Sequence, residues 1–298
     1  MIDTVLRPCR VSPDLPGLAD QVARALAEDV GRGDLTTRLT VPAEMRARAS
    51  LIQKSPGVLA GAPVFEAVFA LVPGEVSIAW LVEEGSVSPG PRTVAELEGS
   101  ARALLTGERT ALNYLQRLSG IATLAARAAE IIAPYNVTLL DTRKTTPGLR
   151  LLEKYATRVG GARNHRFGLD DGILIKDNHI VAAGGITAAV QAARAGAPPG
   201  MLIEVEVTTF AELDEALAAG ADIILLDNWD PADLRRAIEI CDSADVWTEV
   251  SGGISLETIA RYAAARPDFI SMGALTHSAT ALDFSLDFVM ERPAWSAR

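Results

Sequence analysis

The 298-residue chain is poor in cysteine, lysine, histidine and aromatic residues. Its two cysteines, Cys9 and Cys241, are too few and too far apart for a disulfide framework or a thiolate zinc site. A reducing, cytoplasmic setting is the expectation. No run of about 18 apolar residues occurs, so no membrane-spanning helix is expected. The opening MIDTVLRPCRVSPD lacks the long apolar stretch of a signal peptide. Cations are also short: 28 Lys and Arg stand against 38 Asp and Glu, a formal charge of −10. That is the wrong sign for a general nucleic-acid binder. No Ser-His-Asp or Cys-His arrangement can be argued from the spacing.

What is present is enough apolar material, 49% of residues with 22% charged, to bury a sizeable core. At roughly 150 residues per domain, one large or two modest domains are expected. The scarce cations are unevenly placed. Of the four lysines, Lys144, Lys154 and Lys176 fall between 141 and 179, with His165 and His179; only Lys54 lies outside. That window holds eight Lys/Arg and five Asp/Glu. A cationic island in an acidic chain points to a pocket for a small anion. The competing reading is an ordinary charged surface, and Arg150, Lys154 and Arg158, at helical spacing, fit a solvated face.

From about residue 138 one unit repeats: a short β-branched or Leu-rich strand, a loop, a helix, then Gly or Pro. The strands read as 137–142, 172–177, 202–207, 222–227, 245–250 and 268–273. Most are continuous apolar runs, as parallel strands buried on both faces should be. Thr209 with Glu212, Asp230 with Pro231, and Ser255 are helix-start signals; Gly160-Gly161 and Gly220 are stops. Six such units without a GxGxxG predict an α/β barrel rather than a doubly wound dinucleotide fold. Ahead of it, 18–30 reads as an amphipathic helix, 44–88 as antiparallel strands with turns, and 93–132 as long helices. The alternating 282–289 reads as a strand returning to the first domain. The predicted architecture is α/β: a sandwich domain over 1–128, joined by 281–298, and an incomplete barrel over 129–280.

Barrel chemistry sits at the C-terminal ends of the strands. There the sequence places Arg143-Lys144, Lys176-Asp177-Asn178-His179, Glu206, Asp227-Asn228, Ser251-Gly252-Gly253 and Gly273-Ala274. The cations suit carboxylate or phosphate. Glu206 and Asp227 suit Mg²⁺ or sugar hydroxyls; the alternative is a core acid paired with a lysine. The glycine turns suit a phosphate cradle.

Several strings resemble the quinolinate phosphoribosyltransferase family: EDVGRGDLTT (28–37), ERTALNYLQRLSGIAT (108–123), DTRKTTPGLR (141–150), GGARNHRFGLDDGILIKDNHI (160–180), EVEV (204–207), LLDN (225–228), EVSGGI (249–254) and SMGALTHSA (271–279). The resemblance covers nearly the whole chain, in order, apart from the N-terminus up to about Pro16. It implies an N-terminal α/β sandwich and an incomplete barrel. It also implies transfer of a phosphoribosyl group from 5-phosphoribosyl 1-diphosphate to quinolinate with loss of CO₂, using Mg²⁺ and no organic cofactor. Arg143, His165, Arg166 and Lys176 would hold the quinolinate carboxylates, with Thr142 and Lys144 beside them. Arg109 would come from the partner subunit of a head-to-tail homodimer, a hexamer being the other assembly. Glu206 and Asp227 would serve ribose and Mg²⁺, and Ser251, Gly252, Gly253, Gly273 and Ala274 the 5-phosphate. Lys144, Glu206 and Asp227 would carry the catalysis. The alternative activity is a non-decarboxylating transfer to nicotinate or a related base, which needs fewer cations. Neither nucleic acid nor membrane is an expected partner.

Overall fold

The structure, a computed structural model, describes residues 15–290. Cys9, most of the N-terminal extension and the end of the 281–298 segment lie outside the described residues. The chain forms two compact units, one up to Ala122 and again from Thr280, the other Thr123–Ala279. The sequence reading put these boundaries at 128/129 and 280/281.

The first unit opens with α1 (Leu18–Val30), buried through Val22 and Leu26 as its period requires, and α2 (Leu35–Thr40), capped by the Asp34 carboxylate on Thr37 N. Then come β1 (Arg46–Gln53), β2 (Gly57–Val58), α3 (Ala62–Leu71), β3 (Val76–Trp80), β4 (Val87–Ser88), β5 (Arg92–Ser100) and α4 (Ala101–Ile132). β1 alternates exposed and buried side chains and pairs antiparallel with β5, which pairs antiparallel with β3.

Two expectations fail here. Residues 62–71 are a helix, not a strand. APVFEAVFAL is apolar nearly all round, so no period of two or 3.6 stands out. Residues 92–100 are a strand, not the start of a long helix. The helix-favouring Ala95, Glu96 and Leu97 are overruled by pairing with β1 on one side and β3 on the other.

The returning segment forms β12 (Phe284–Met290), antiparallel to β1 at the sheet edge. It is fastened to α4 by Leu282 N on Gln116 O and Gln116 Nε2 on Phe284 O. A Cβ at Gly120 would lie 2.1 Å from Thr280 O, so only glycine permits that approach.

The second unit contains β6 (Thr138–Leu140), α5 (Arg150–Val159), β7 (Ile173–Ile175), α6 (Asp177–Ala183), α7 (Ile186–Gly196), β8 (Ile203–Val207), α8 (Phe210–Ala219), β9 (Ile223–Asp227), α9 (Pro231–Ser243), β10 (Trp247–Ser251), α10 (Ile259–Ala263), β11 (Phe269–Ser271) and α11 (Ala274–His277). All six expected strands form, every ladder parallel, in the order β6-β11-β10-β9-β8-β7. Val205, Val207, Ile224, Leu226 and Val250 are buried among Val190, Leu213, Leu234 and Ile238 of the covering helices. The sheet curls tightly enough for one imidazole to reach both β8 and β10 across the intervening β9. β6 and β7, the first two strands of the unit in sequence, are its open edges. Beside β6 the chain at Arg163 forms a short parallel bridge with Leu140.

Several local signals act as read. Thr209 Oγ1 accepts from Glu212 N, Asp230 Oδ1 from Ala232 N, and Gly220 closes α8 in the left-handed region. Ser255 does not cap a helix: α10 starts only at Ile259, and Ser255 Oγ donates to Glu257 instead.

Candidate active site

A pocket of about 300 Å³ opens at the C-terminal ends of the strands. Its walls include Thr142, Arg143, Lys144, His165, Arg166, Lys176, Asp227 and Ser251, all named from sequence, and Leu174, Leu225, Glu249 and Ser271, which were not. The structure thus brings together two loops distant in sequence and the ends of several strands.

The first loop follows β6. Thr142 Oγ1 accepts from Lys144 N, and Thr145 N donates to Arg143 O, coiling Arg143 and Lys144 into a tight turn. Thr276 Oγ1 donates to Lys144 O from α11. Gly273 lies against the lysine stem: a Cβ there would stand 2.9 Å from Lys144 Cδ. Arg143 Nε is buried with no acceptor within the described residues. A buried donor left this way is costly unless an added group accepts from it.

The second loop carries His165 and Arg166. Arg166 Nη1 donates to Gly172 O, and burial followed by the nearby Arg143 charge pushes Arg166 below the usual arginine value. Two guanidinium groups held close enough to oppose each other favour an anion between them.

His165 faces inward. Its Nε2 lies 3.2 Å from Glu204 Oε2 on β8 and 3.3 Å from Glu249 Oε2 on β10. Both carboxylates are buried, each with its Oε1 unpaired. Burial lowers the basicity of His165, but the hydrogen bonds and charges of Glu204 and Glu249 outweigh it and raise it to about 10. Arg166 N nevertheless donates to His165 Nδ1 at 2.7 Å, which leaves no room for a proton on that nitrogen. Nε2 is therefore the ring nitrogen that donates, and it faces both carboxylates. Burial first, then the Glu249 charge, drives Glu204 up to about 7. The three groups have the right atoms for a metal ion. A metal-bound Nε2 wants Nδ1 to donate, and here Nδ1 accepts.

Lys176 and Glu206 are paired through Nζ and Oε2. Glu206 is thus the acid matched to a lysine that the sequence left open as an alternative, and it does not line the pocket. His179 Nδ1 accepts from Lys176 N and serves the start of α6. Asp227 lines the pocket and accepts from Asn228 Nδ2 at 2.6 Å. Asn228 itself takes φ 57°, which asparagine tolerates, and donates from N to Ser251 O. Gly252 packs on that turn: at φ 94° its Cβ would fall 2.3 Å from Asn228 Oδ1. Gly253 follows, also left-handed. Gly252, Gly253, Gly273 and Ala274 do not line the pocket, although Ser251 and Ser271 at the neighbouring strand ends do. Arg109 is exposed on α4, within the first unit, and is not among the pocket residues.

One correction concerns α5. Lys154 is 1% exposed, not solvated, and Arg150 is half-buried with hydrogen bonds to both loops; only Arg158 is exposed. Burial lowers Lys154 from its ordinary value, and its Asp141 partner opposes that shift.

Sequence models of two domains match this chain: the C-terminal domain of quinolinate phosphoribosyl transferase over residues 121–287 and the N-terminal domain over 34–119. A probable nicotinate-nucleotide pyrophosphorylase [carboxylating] of Bacillus subtilis is 45% identical over 263 residues, covering 88% of this chain and 90% of that protein. The nicotinate-nucleotide pyrophosphorylase [carboxylating] of Homo sapiens is 47% identical over 243 residues, 80% of this chain and 81% of that one. The crystal structure of NadC from Streptococcus pyogenes superposes with a TM-score of 0.89 at 44% identity, covering 94% of this chain and all of that one. By sequence and by fold, the chain belongs to the quinolinate phosphoribosyl transferase family.

Proposed function

We propose that this chain transfers the phosphoribosyl group of 5-phosphoribosyl 1-diphosphate to quinolinate, with decarboxylation. The products are nicotinate mononucleotide, diphosphate and CO₂, a step of NAD synthesis. Family membership supports the activity. The observation that carries the site assignment is the pocket wall, where Arg143, Lys144, Arg166 and Lys176 gather in a chain of charge −10. Asp227 and Glu249 are the pocket's only lining carboxylates among the described residues. With Lys176 paired to Glu206, Arg143, Lys144 and Arg166 remain to meet the substrate, which suits a dianion better than a base with one carboxylate.

Arg143 and Arg166 take the quinolinate carboxylates, with the orphaned Arg143 Nε as one donor. Lys144 and Thr142 stand beside them. Held there, the ring nitrogen attacks the anomeric carbon as diphosphate leaves, and positive charge develops at the sugar. Asp227 stabilises that charge electrostatically. The resulting pyridinium is an electron sink beside the 2-carboxylate, so CO₂ departs and a proton replaces it. Lys144, which lines the pocket, is the cation assigned to the transient negative charge.

The donor set fits Mg²⁺ at Asp227, shared with water and substrate oxygens. Glu206, already neutralised by Lys176, acts there indirectly. Bound Mg²⁺ supplies charge compensation for the diphosphate. Backbone groups of the Ser251-Gly252-Gly253 and Gly273-Ala274 turns receive the 5-phosphate. Arg109, which is not among the residues lining the pocket, acts in the site of the partner subunit of a homodimer.

The test is CO₂ release from carboxyl-labelled quinolinate, with 5-phosphoribosyl 1-diphosphate and Mg²⁺ omitted in turn and nicotinate run in parallel. Release requiring every component, with nicotinate inert, is the expected result. Consumption of nicotinate instead would overturn the diacid assignment.

A further inference from the structure

Helix α5 sends three side chains to the two cationic loops, and none of the three lines the pocket. Lys154 Nζ donates to Asp141 Oδ1 at 2.5 Å and to His165 O at 3.0 Å. Glu153, fully buried, accepts from Thr146 N and Thr146 Oγ1 at 3.0 and 2.8 Å. Arg150 reaches Thr145 Oγ1, Arg143 O and Phe167 O. Thr145 and Thr146 close the loop that presents Arg143 and Lys144, and Phe167 follows Arg166.

Asp141 is the hub. It is the last residue before that first loop and is fully buried. Besides Lys154, its Oδ1 accepts from His165 N at 2.9 Å, and its Oδ2 accepts from Asn164 Nδ2 at 2.6 Å and Thr157 Oγ1 at 3.0 Å. Asn164 Nδ2 also donates to Lys154 O. Backbone bonds Asp141 N to Arg163 O and Arg163 N to Leu139 O complete the tie. Every donor to this carboxylate comes from α5 or from the second loop.

A buried ion pair is a poor stabiliser, since desolvation cancels most of its attraction. What this one fixes is geometry. The loops lie on the open edge of the barrel, where among the described residues only the short bridge between Leu140 and Arg163 adds to β6. Their cations repel one another and must still converge on one small ligand. We propose that Lys154 and Asp141 are positioning residues for quinolinate, holding the Asn164-His165-Arg166 loop in register with the Thr142-Arg143-Lys144 loop so that both carboxylates are met at once. The inference rests on the proposed activity. It assigns to residues outside the pocket the job of fixing the spacing of the diacid site, and gives them no part in holding phosphoribosyl diphosphate.

The test uses Lys154→Met, the charge-neutral double variant Asp141→Asn/Lys154→Met, and Asn164→Ala. The last lies in an exposed loop and removes only the amide tie. Folding is checked by thermal unfolding, and binding of quinolinate and of phosphoribosyl diphosphate is measured separately by calorimetry beside steady-state kinetics. The expected result is a rise in quinolinate Kd and KM of about tenfold or more for the Lys154 variants, and of several-fold for Asn164→Ala, because small displacements of positioned groups are expensive. Phosphoribosyl diphosphate affinity stays within about twofold of wild type. Equal loss of both ligands, or an unchanged quinolinate KM in folded Asn164→Ala, would overturn the proposal. An inactive wild-type protein would instead overturn the activity on which it rests.

Discussion

Lys176, at the end of β7, and Glu206, on β8, meet ammonium to carboxylate at the rim of the barrel. The neighbouring strand thus neutralises one of the cations that the sequence assigns to substrate. Removing the acid should strengthen the cationic field rather than empty a metal site. Glu206→Gln is expected to keep or lower the quinolinate KM while reducing kcat, and titrations with each ligand would show the split. A loss confined to phosphoribosyl diphosphate binding would restore Glu206 as a metal ligand.

Among the described residues Asp227 has no such lysine partner; its carboxylate accepts from the Asn228 amide. Asp227→Asn should cost about 10²-fold or more in kcat, as removal of a preorganised electrostatic group does. Quinolinate binding measured without phosphoribosyl diphosphate should change little. The Mg²⁺ concentration giving half-maximal rate should rise, and a rate profile against Mg²⁺ checks it.

Gly252 is fixed by both conformation and space. Alanine at φ 94° would carry a Cβ 2.3 Å from Asn228 Oδ1. Left-handed geometry alone costs a residue with a Cβ roughly 1–2 kcal/mol. Gly252→Ala is expected to melt a few degrees lower and to raise the KM for phosphoribosyl diphosphate more than that for quinolinate. Gly253→Ala, with no atom within 4 Å of its Cβ, should show the conformational cost without the clash.

The His165, Glu204 and Glu249 trio makes stability depend on pH. Glu204 titrates near 7 in the folded chain against an ordinary 4.5, so between those values the native state holds a proton that the unfolded chain has released. Stability therefore falls as pH rises through that window. The lowered carboxyls of Asp34, Glu215 and Glu257 act in the opposite sense at more acid pH. Wild-type Tm should drop by a few degrees between about pH 5 and 7.5, and Glu204→Gln should flatten that slope. Differential scanning calorimetry at constant ionic strength reads both.

Arg109 belongs to the first unit and is exposed. If it completes the pocket of the partner subunit, Arg109→Ala and Lys144→Ala proteins, each inactive, should recover activity when mixed. A statistical mixed dimer carries one intact site in half of its molecules, so about a quarter of wild-type activity is the ceiling. No recovery after proven subunit exchange would confine Arg109 to its own chain.

Much of this was legible without coordinates. The six barrel strands are short continuous apolar runs between glycines and prolines, and burial on both faces imposes that signature locally. Rim residues follow from it, because whatever succeeds each run stands at the C-terminal end. Hence Arg143, Lys144, Lys176, Asp227 and Ser251 could be named, and they share one pocket. The helix over 62–71 and the strand over 92–100 were missed because their patterns are ambiguous until neighbouring strands choose for them.

Pairings were a different matter. Glu204 and Glu249 sit in plain view in LIEVEV and WTEV, yet nothing local says that both turn inward onto His165. Lys154 looked like a surface residue on a charged helix and is buried on Asp141. The sequence by itself determined the elements, their order and the chemistry at each strand end, since those depend on neighbours a few residues away. Only the tertiary structure decided which acid meets which cation. That choice depends on strand register and on the curl of the sheet, which bring together groups far apart in sequence such as His165 and Glu249.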